Sequence, residues 1–300
     1  MNNLKKLGLT ALAGSLVASS VVAGDLSVTG GASIDYTSTS ETTGNGWSMG
    51  DSVNFSGSGD VNGMDVTLAI ELDGGTYDDY SLKVDTGDMG AVTFSGNSVG
   101  AGGLNAYGDK VPTAYEEVYD ATDGTDNGVV GNISSTNAFA YNGTFGNVTL
   151  SAFYNPAGAS SSSFVVQYAD LIDGLTIGAG TGEVDTTQDE ESMWVKYVMG
   201  GITVGFQRSE VDYSAATSRD EEGDHYGISF AVNEDLTVSA GRQEVDFSGS
   251  GMSDEESSGV SASYTMGGLT IAGHSNKTDN LGGTNGFNQD SKSINFAFAF

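Results

Sequence analysis

The sequence predicts an all-β fold in which sixteen antiparallel strands close into a barrel. Three observations carry that expectation. Apolar and polar residues alternate with period two through most of the chain. In "MDVTLAIEL" (64–72), Val66, Leu68, Ile70 and Leu72 take one face, and Asp65, Thr67, Ala69 and Glu71 the other. The connections between such segments alternate between tight turns and longer polar stretches, as in a run of hairpins. Only two prolines, Pro112 and Pro156, interrupt 300 residues, so most backbone N–H groups are free to join a ladder.

The chain opens with a short basic head, Lys5 and Lys6, and an apolar run from Leu7 to Val22. Val21 and Ala23 are small residues placed for signal peptidase. Residues 1–23 read as a secretory signal cleaved after Ala23, leaving one domain over 24–300. A membrane anchor is the competing reading, but Gly14, Ser15, Ser19 and Ser20 break the run, which is short for a span.

Candidate strands follow at 26–37, 47–59, 64–72, 79–86, 90–97, 136–145, 147–155, 162–170, 174–182, 191–199, 201–210, 224–232, 235–246, 257–266, 268–276 and 290–300. Glycine and serine blur the first two. Tight connections are "VNGM" (61–64), "TGDMG" (86–90), "FGN" (145–147), "IDGL" (172–175), "MGG" (199–201), "NED" (233–235) and "MGG" (266–268). Acidic connections, read as long loops, fall at 183–190, 211–224, 247–257 and 277–289. An even strand count with short turns at one end and long loops at the other is the pattern of outer-membrane barrels. Phrases such as "GLTIGAG", "GITVGF" and "GLTIAGH" recur, without the strict period of a propeller or β-helix.

Residues 98–135 are the longest stretch without alternation. A connection this long is uncommon in a compact domain and is usually functional. Its "PTAYEEVYD" predicts a turn or two of helix with Pro112 near the start. The chain closes on "SINFAFAF" (293–300), which alternates Ile294, Phe296, Phe298 and Phe300 with small or polar residues.

Composition narrows the setting. There is no cysteine, hence no disulfide, thiol catalysis or cysteine metal site. The formal charge is −30; without residues 1–23, eight basic residues face forty acidic ones, a balance of −32. Such a charge opposes nucleic acid, whose phosphates need Lys and Arg. Thirteen Tyr, thirteen Phe and a hydrophobic fraction of 38% argue against a disordered chain. Beyond the signal no apolar run reaches the length of a membrane helix, so the chain either stays soluble outside the inner membrane or enters a membrane as a closed barrel. Alternation alone does not say which face is inside. The signal, the width of a sixteen-strand barrel and the loop asymmetry favour a transmembrane β-barrel with a wet interior.

On these features, together with the long stretch after "GDMGAVTFSGNSVG" (87–100) and the terminal Phe300, the chain resembles Gram-negative general-diffusion porins of the alphaproteobacterial type. The resemblance spans the whole of 24–300. It implies a barrel in outer-membrane lipid, assembly as a homotrimer and a long loop folded into the lumen to narrow the pore. It also implies that the barrel-assembly machinery reads Phe300 as an assembly signal, and that small hydrophilic solutes and ions cross by passive diffusion.

In that setting the candidate constriction is Asp109, Glu116, Glu117 and Asp120 in the loop, with Lys83 and Lys196 on the polar parity of the wall. Arg208, Arg242 and Lys292 share parity with apolar neighbours near strand ends and are expected at the rim. The basic side is therefore sparse, departing from the basic wall cluster of the family, and a preference for cations follows. "DEE" (189–191), "DEEGD" (220–224) and "DEE" (254–256) supply oxygen ligands for loop-bound Ca²⁺, but lack the spacing of an EF-hand or RTX loop and read as a solvated rim. No cofactor and no metal are expected. The two histidines, His225 and His274, do not assemble a catalytic set, since Asp224 beside His225 faces the other way, and the chain is not read as an enzyme. The competing function is an adhesive or structural outer-membrane barrel with little conductance.

Overall fold

The computed structural model describes residues 24, 26–40, 44–97, 102–119, 127–131, 136–156, 160–215 and 219–300. Residues 1–23, expected to be a signal, and Asp120 lie outside the described residues. Sixteen strands form one closed antiparallel barrel, each paired with its neighbours in sequence. They are β1 (Leu26–Thr39), β2 (Trp47–Val61), β3 (Met64–Asp73), β4 (Thr76–Asp85), β5 (Ala91–Asn97), β6 (Ala138–Phe145), β7 (Val148–Asn155) and β8 (Ser161–Ala169). The second half is β9 (Leu175–Val184), β10 (Gln188–Met199), β11 (Ile202–Tyr213), β12 (Glu221–Ala231), β13 (Leu236–Phe247), β14 (Glu255–Met266), β15 (Leu269–Asp279) and β16 (Gln289–Ala299).

Closure is made by β1 and β16, with Tyr36 opposite Ile294 and Gly31 opposite Ala299. Phe300 completes the seam: its N–H donates to the Gly30 carbonyl (3.0 Å) and its carbonyl accepts from the Gly30 N–H (2.8 Å). No strand edge is left open, which removes the template for unwanted pairing. At the opposite kind of end, the β2–β3 turn is two residues long. Asn62 and Gly63 have φ of 56° and 80°. Positive φ at both central positions is the type I′ geometry that matches strand twist.

All sixteen expected strands are present, but their ends differ. β10, β12 and β14 begin three, three and two residues earlier than expected, and β11 and β15 end later. The stretch 183–190 is not a long loop: Val184 and Gln188 are joined through a short turn in which the Thr187 N–H donates to the Val184 carbonyl (2.8 Å). The hydropathy signal fades there because both faces carry polar residues, while the ladder goes on pairing backbone. The helical turn expected at 112–120 is absent over the described 112–119. That segment runs as bends, and the local helix is instead a 3₁₀ turn at Gly103–Tyr107.

The two barrel faces invert the usual rule of burial. Apolar side chains point outward and are exposed: Phe230 by 45%, Leu68 and Val204 by 40%. Polar side chains of the other parity are buried, among them Glu190, Gln207 and Gln243. A soluble barrel would forgo about 1.5–3 kcal/mol for each large apolar side chain left in water. Lipid outside and a polar interior remove that cost, and this inversion settles what alternation alone left open.

Candidate pore and the strap along its wall

The connection between β5 and β6 does not stand clear of the barrel. Its described residues, 102–119 and 127–131, lie along the polar face of the strands, held by side chains of that parity. The Gly103 N–H donates to Ser151 Oγ (2.7 Å) and the Leu104 N–H to Ser163 Oγ (2.9 Å). Gln207 is the next anchor: its Oε1 accepts from the Lys110 N–H (2.7 Å), and its Nε2 donates to the carbonyls of Tyr107 (2.9 Å) and Gly108 (3.1 Å). Ser239 Oγ accepts from the Ala114 N–H (2.9 Å), Ser261 Oγ from the Tyr115 N–H (3.1 Å), and Asn276 Nδ2 donates to the Glu117 carbonyl (2.7 Å). A segment with only one 3₁₀ turn among its described residues thus satisfies backbone groups on wall side chains, as burial demands.

Apolar packing fixes one end of this strap. Leu104 and Val130 are buried against Val165, Trp194 and Val211, with Tyr107 stacked on Trp194 at 5.1 Å between ring centres. Burying Leu104 and Val130 contributes about 1.5–3 kcal/mol each. The returning segment is held by carboxylates. Glu190 accepts from the Gly131 N–H (2.8 Å), Glu221 from the Gly128 N–H (2.7 Å), and Glu255 from Asn127 Nδ2 (2.8 Å). Gln243 Nε2 donates to the Asn127 carbonyl (2.8 Å), and His225 Nε2 lies 3.0 Å from the Gly128 carbonyl.

These carboxylates correct the expectation of a solvated rim. The acidic clusters lie in β10 and at the starts of β12 and β14, with Asp220 and Asp254 just before those strands, and adjacent strand residues face opposite sides. Glu190, Glu221 and Glu255 point to the strap, while Asp189, Glu191, Glu222 and Glu256 point outward. No triplet therefore aims three carboxylates at one ion, and among the described residues no three metal-ligating side chains gather. The anchoring role was missed because hydropathy does not distinguish a solvated carboxylate from one bonded to backbone. Parity with Gln188 and Ser192, or with Gly223 and His225, is the signal that marks them as inward.

The sequence-selected residues fall as follows. Asp109 is exposed on the strap, and Glu116 and Glu117 are half-buried near its far end. Tyr115, next to Glu116, stacks on His274 (6.0 Å). Burial pushes its phenol up to about 12, helped by Glu116 and Asp35 and opposed by a bond with Ser293. Lys83 is on the polar face and bridges Asp85 two residues along its own strand (3.0 Å). Its first partner is therefore that neighbour rather than the strap acids, in an exposed pair worth little. Lys196 meets a like charge, Lys110, which sequence reading did not select. The Lys110 ammonium sits over the Tyr107 ring (4.6 Å). Burial lowers its proton affinity, Asp109 opposes that, and Lys196 adds to it. At the turn end of the barrel Asp60, Asp65 and Asp85 stand directly opposite one another across β2, β3 and β4. Arg208 lies at the outward rim as expected, bidentate to Asp224 (2.6 Å for both contacts), and Arg242 pairs there with Glu244 and Glu256.

Comparison with known proteins places this architecture. The model of the Gram-negative porin family matches residues 8–299, so the chain belongs to that family. It is an outer-membrane β-barrel channel protein. No curated protein matches it in sequence. Among solved structures, OmpT of Vibrio cholerae in its trimer form superposes with a TM-score of 0.70 at 11% identity, over 92% of this chain and 99% of that one. A porin refined at 1.8 Å resolution gives 0.69 at 16% identity, over 92% and 100%. A mutant of Rh. blastica porin gives 0.65 at 12% identity, with the same coverage. At these identities the likeness is one of fold.

Proposed function

We propose that the protein is a passive diffusion channel for small hydrophilic solutes and ions, prefers cations, and works as a homotrimer. The observation that carries the reading is the strap along the polar face of a closed sixteen-strand barrel. A barrel this wide would otherwise hold an open aqueous lumen. The strap leaves a narrower passage between its own Asp109, Glu116 and Glu117 and the wall of β1–β5, where Asp35, Glu71, Asp65 and Lys83 stand. Size then sets which solutes pass, and the fixed carboxylates raise the local concentration of cations. Lys83, Lys110 and Lys196 are too few to reverse that field. Asp120 belongs to the same proposed constriction on sequence grounds. The trimer is supported by the trimeric form of the Vibrio cholerae relative, and Phe300 at the seam is the proposed assembly signal.

The test is single-channel recording of the purified full-length protein in a planar bilayer across a KCl gradient. Stepwise openings in groups of three, with a reversal potential favouring K⁺, are expected. A silent bilayer, with folding shown by heat-modifiable gel mobility, would overturn the channel reading in favour of an adhesive barrel.

A further inference from the structure

We propose that a row of glycines on the inner wall sets the height of the strap above it, and with it the bore of the channel. The inference rests on the channel reading. Gly205, Gly227, Gly241 and Gly259 belong to four successive strands, and each stands directly opposite the next in the ladder. The row is bounded by Lys196 opposite Gly205 and by Asn276 opposite Gly259. All four have the parity of the strap-bearing face. None has a positive φ, so backbone conformation does not call for glycine at any of them.

What calls for glycine is space. A methyl group at 205 would lie 2.6 Å from Pro112 Cδ, and one at 227 would lie 2.8 Å from the Pro112 carbonyl oxygen. One at 241 would lie 2.9 Å from Val118 Cγ1. At Gly259 the Asn276 side chain crosses the bare position, and its Nδ2 reaches the Glu117 carbonyl (2.7 Å). Lengths agree with this seating. Four inter-strand steps from Gly205 to Asn276 cover about 19 Å. Seven residues from Lys110 to Glu117 reach about 23 Å when extended. The segment is thus long enough to cross the row, and the surplus is taken up in bends at 114–116, where Thr113 Oγ1 lies within hydrogen-bond distance of the carbonyls of Tyr115 (2.7 Å) and Glu116 (3.1 Å). A side chain at 205, 227 or 241 would lift it by up to about 1 Å toward the lumen, the difference between these distances and ordinary carbon contacts, and one at 259 would displace the Asn276 side chain that bonds Glu117.

The test is Gly205→Ala, alone and with Pro112→Ala, which removes the ring carbon that the new methyl would meet. Gly241→Ala, alone and with Val118→Ala, is a second pair at the other end of the row. Single-channel conductance is expected to fall in each single variant and to recover in each double variant, a coupling that general destabilisation would not produce. Gly31→Ala is the control, since a methyl there meets nothing closer than 3.5 Å. Unchanged conductance in Gly205→Ala and Gly241→Ala, or loss without recovery in the doubles, would overturn the proposal. A readout independent of conduction separates it from failure of the channel reading. The chain has no cysteine, so Val118→Cys gives a single thiol. Its reaction with a water-soluble thiol reagent is expected to speed up when Gly205→Ala is added. An unchanged rate would overturn the seating even in a protein that conducts nothing.

Discussion

The two halves of the inner wall use the same residue types for different work. On β7–β15 the inward positions include serine, glutamine, glycine and carboxylates, and many bond the strap backbone. On β1–β4 their bonds run between wall side chains, as in Ser33 with Asp35 and Asn54 with Glu71. Glu190 and Glu71 show the contrast. Glu190 is fully buried and takes the Gly131 N–H at 2.8 Å, whereas Glu71 accepts from Asn54 Nδ2 at 3.2 Å in an exposed pair. A carboxylate on this wall is an anchor or a field source according to what lies across from it. The strap decides which.

The largest expected effect comes from breaking the apolar foot of the strap. Leu104→Ala is expected to weaken its seating by about 2–5 kcal/mol, through lost transfer energy and a cavity among Val165, Trp194 and Val211. Limited proteolysis within 98–135 is the measurement. Cleavage at the wild-type rate would mean that the polar anchors suffice alone.

Next in size is the carboxylate comparison itself. Glu190→Ala removes a charged acceptor from a buried backbone N–H and is expected to cost about 1.5–3 kcal/mol of seating. Glu71→Ala is expected to leave proteolysis unchanged and to lower the K⁺ preference. Equal proteolytic effects at the two positions would erase the distinction between the halves.

A pH test follows from Tyr115. Its phenol ionises at about 12 when the strap is seated, against about 10 for an exposed tyrosine. Between those values the unseated strap has given up a proton that the seated one keeps, so seating is expected to weaken as pH rises from about 10 to about 12. An ultraviolet titration compared with Tyr115→Phe isolates this group among thirteen tyrosines. A difference curve centred near 10 would show the phenol to be open to water.

The smallest effect belongs to the field of the strap. Asp109→Asn with Glu116→Gln is expected to cut the K⁺ over Cl⁻ preference about fourfold per charge, about twofold from weaker attraction of K⁺ and about twofold from weaker repulsion of Cl⁻. A unit charge about 10 Å away in water is worth roughly 0.4 kcal/mol. A reversal potential that does not move would assign selectivity to the wall, with Asp35 and the Asp60, Asp65 and Asp85 row as the next substitutions.

Much of this was open to reading from the chain. Strands such as β3 and β16 put apolar residues on every second position, and that pattern alone located them and separated their two faces. The upper ends of β10, β12 and β14 escaped it, because Glu, Gln and Ser there serve both faces and the ladder continues where hydropathy stops. Lys83 and Lys196 were assigned correctly to the polar face by parity. Their neighbours, Asp85 and Lys110, were not foreseen as partners. Nothing in the sequence singles out the glycines at 205, 227, 241 and 259 from the forty-five in the chain; the strap lying on the wall does.

The sequence by itself determined the number of strands and which residues of a strand share a face, because a period of two is a local property of the backbone. Only the tertiary structure decided which inward side chains anchor, which clear space and which face the passage. Those roles arise between groups far apart in the chain, such as Lys110 with Gln207 at a separation of 97 residues and Glu117 with Asn276 at 159. No local period encodes a contact of that range. It exists only once the barrel has closed and brought its wall to the strap.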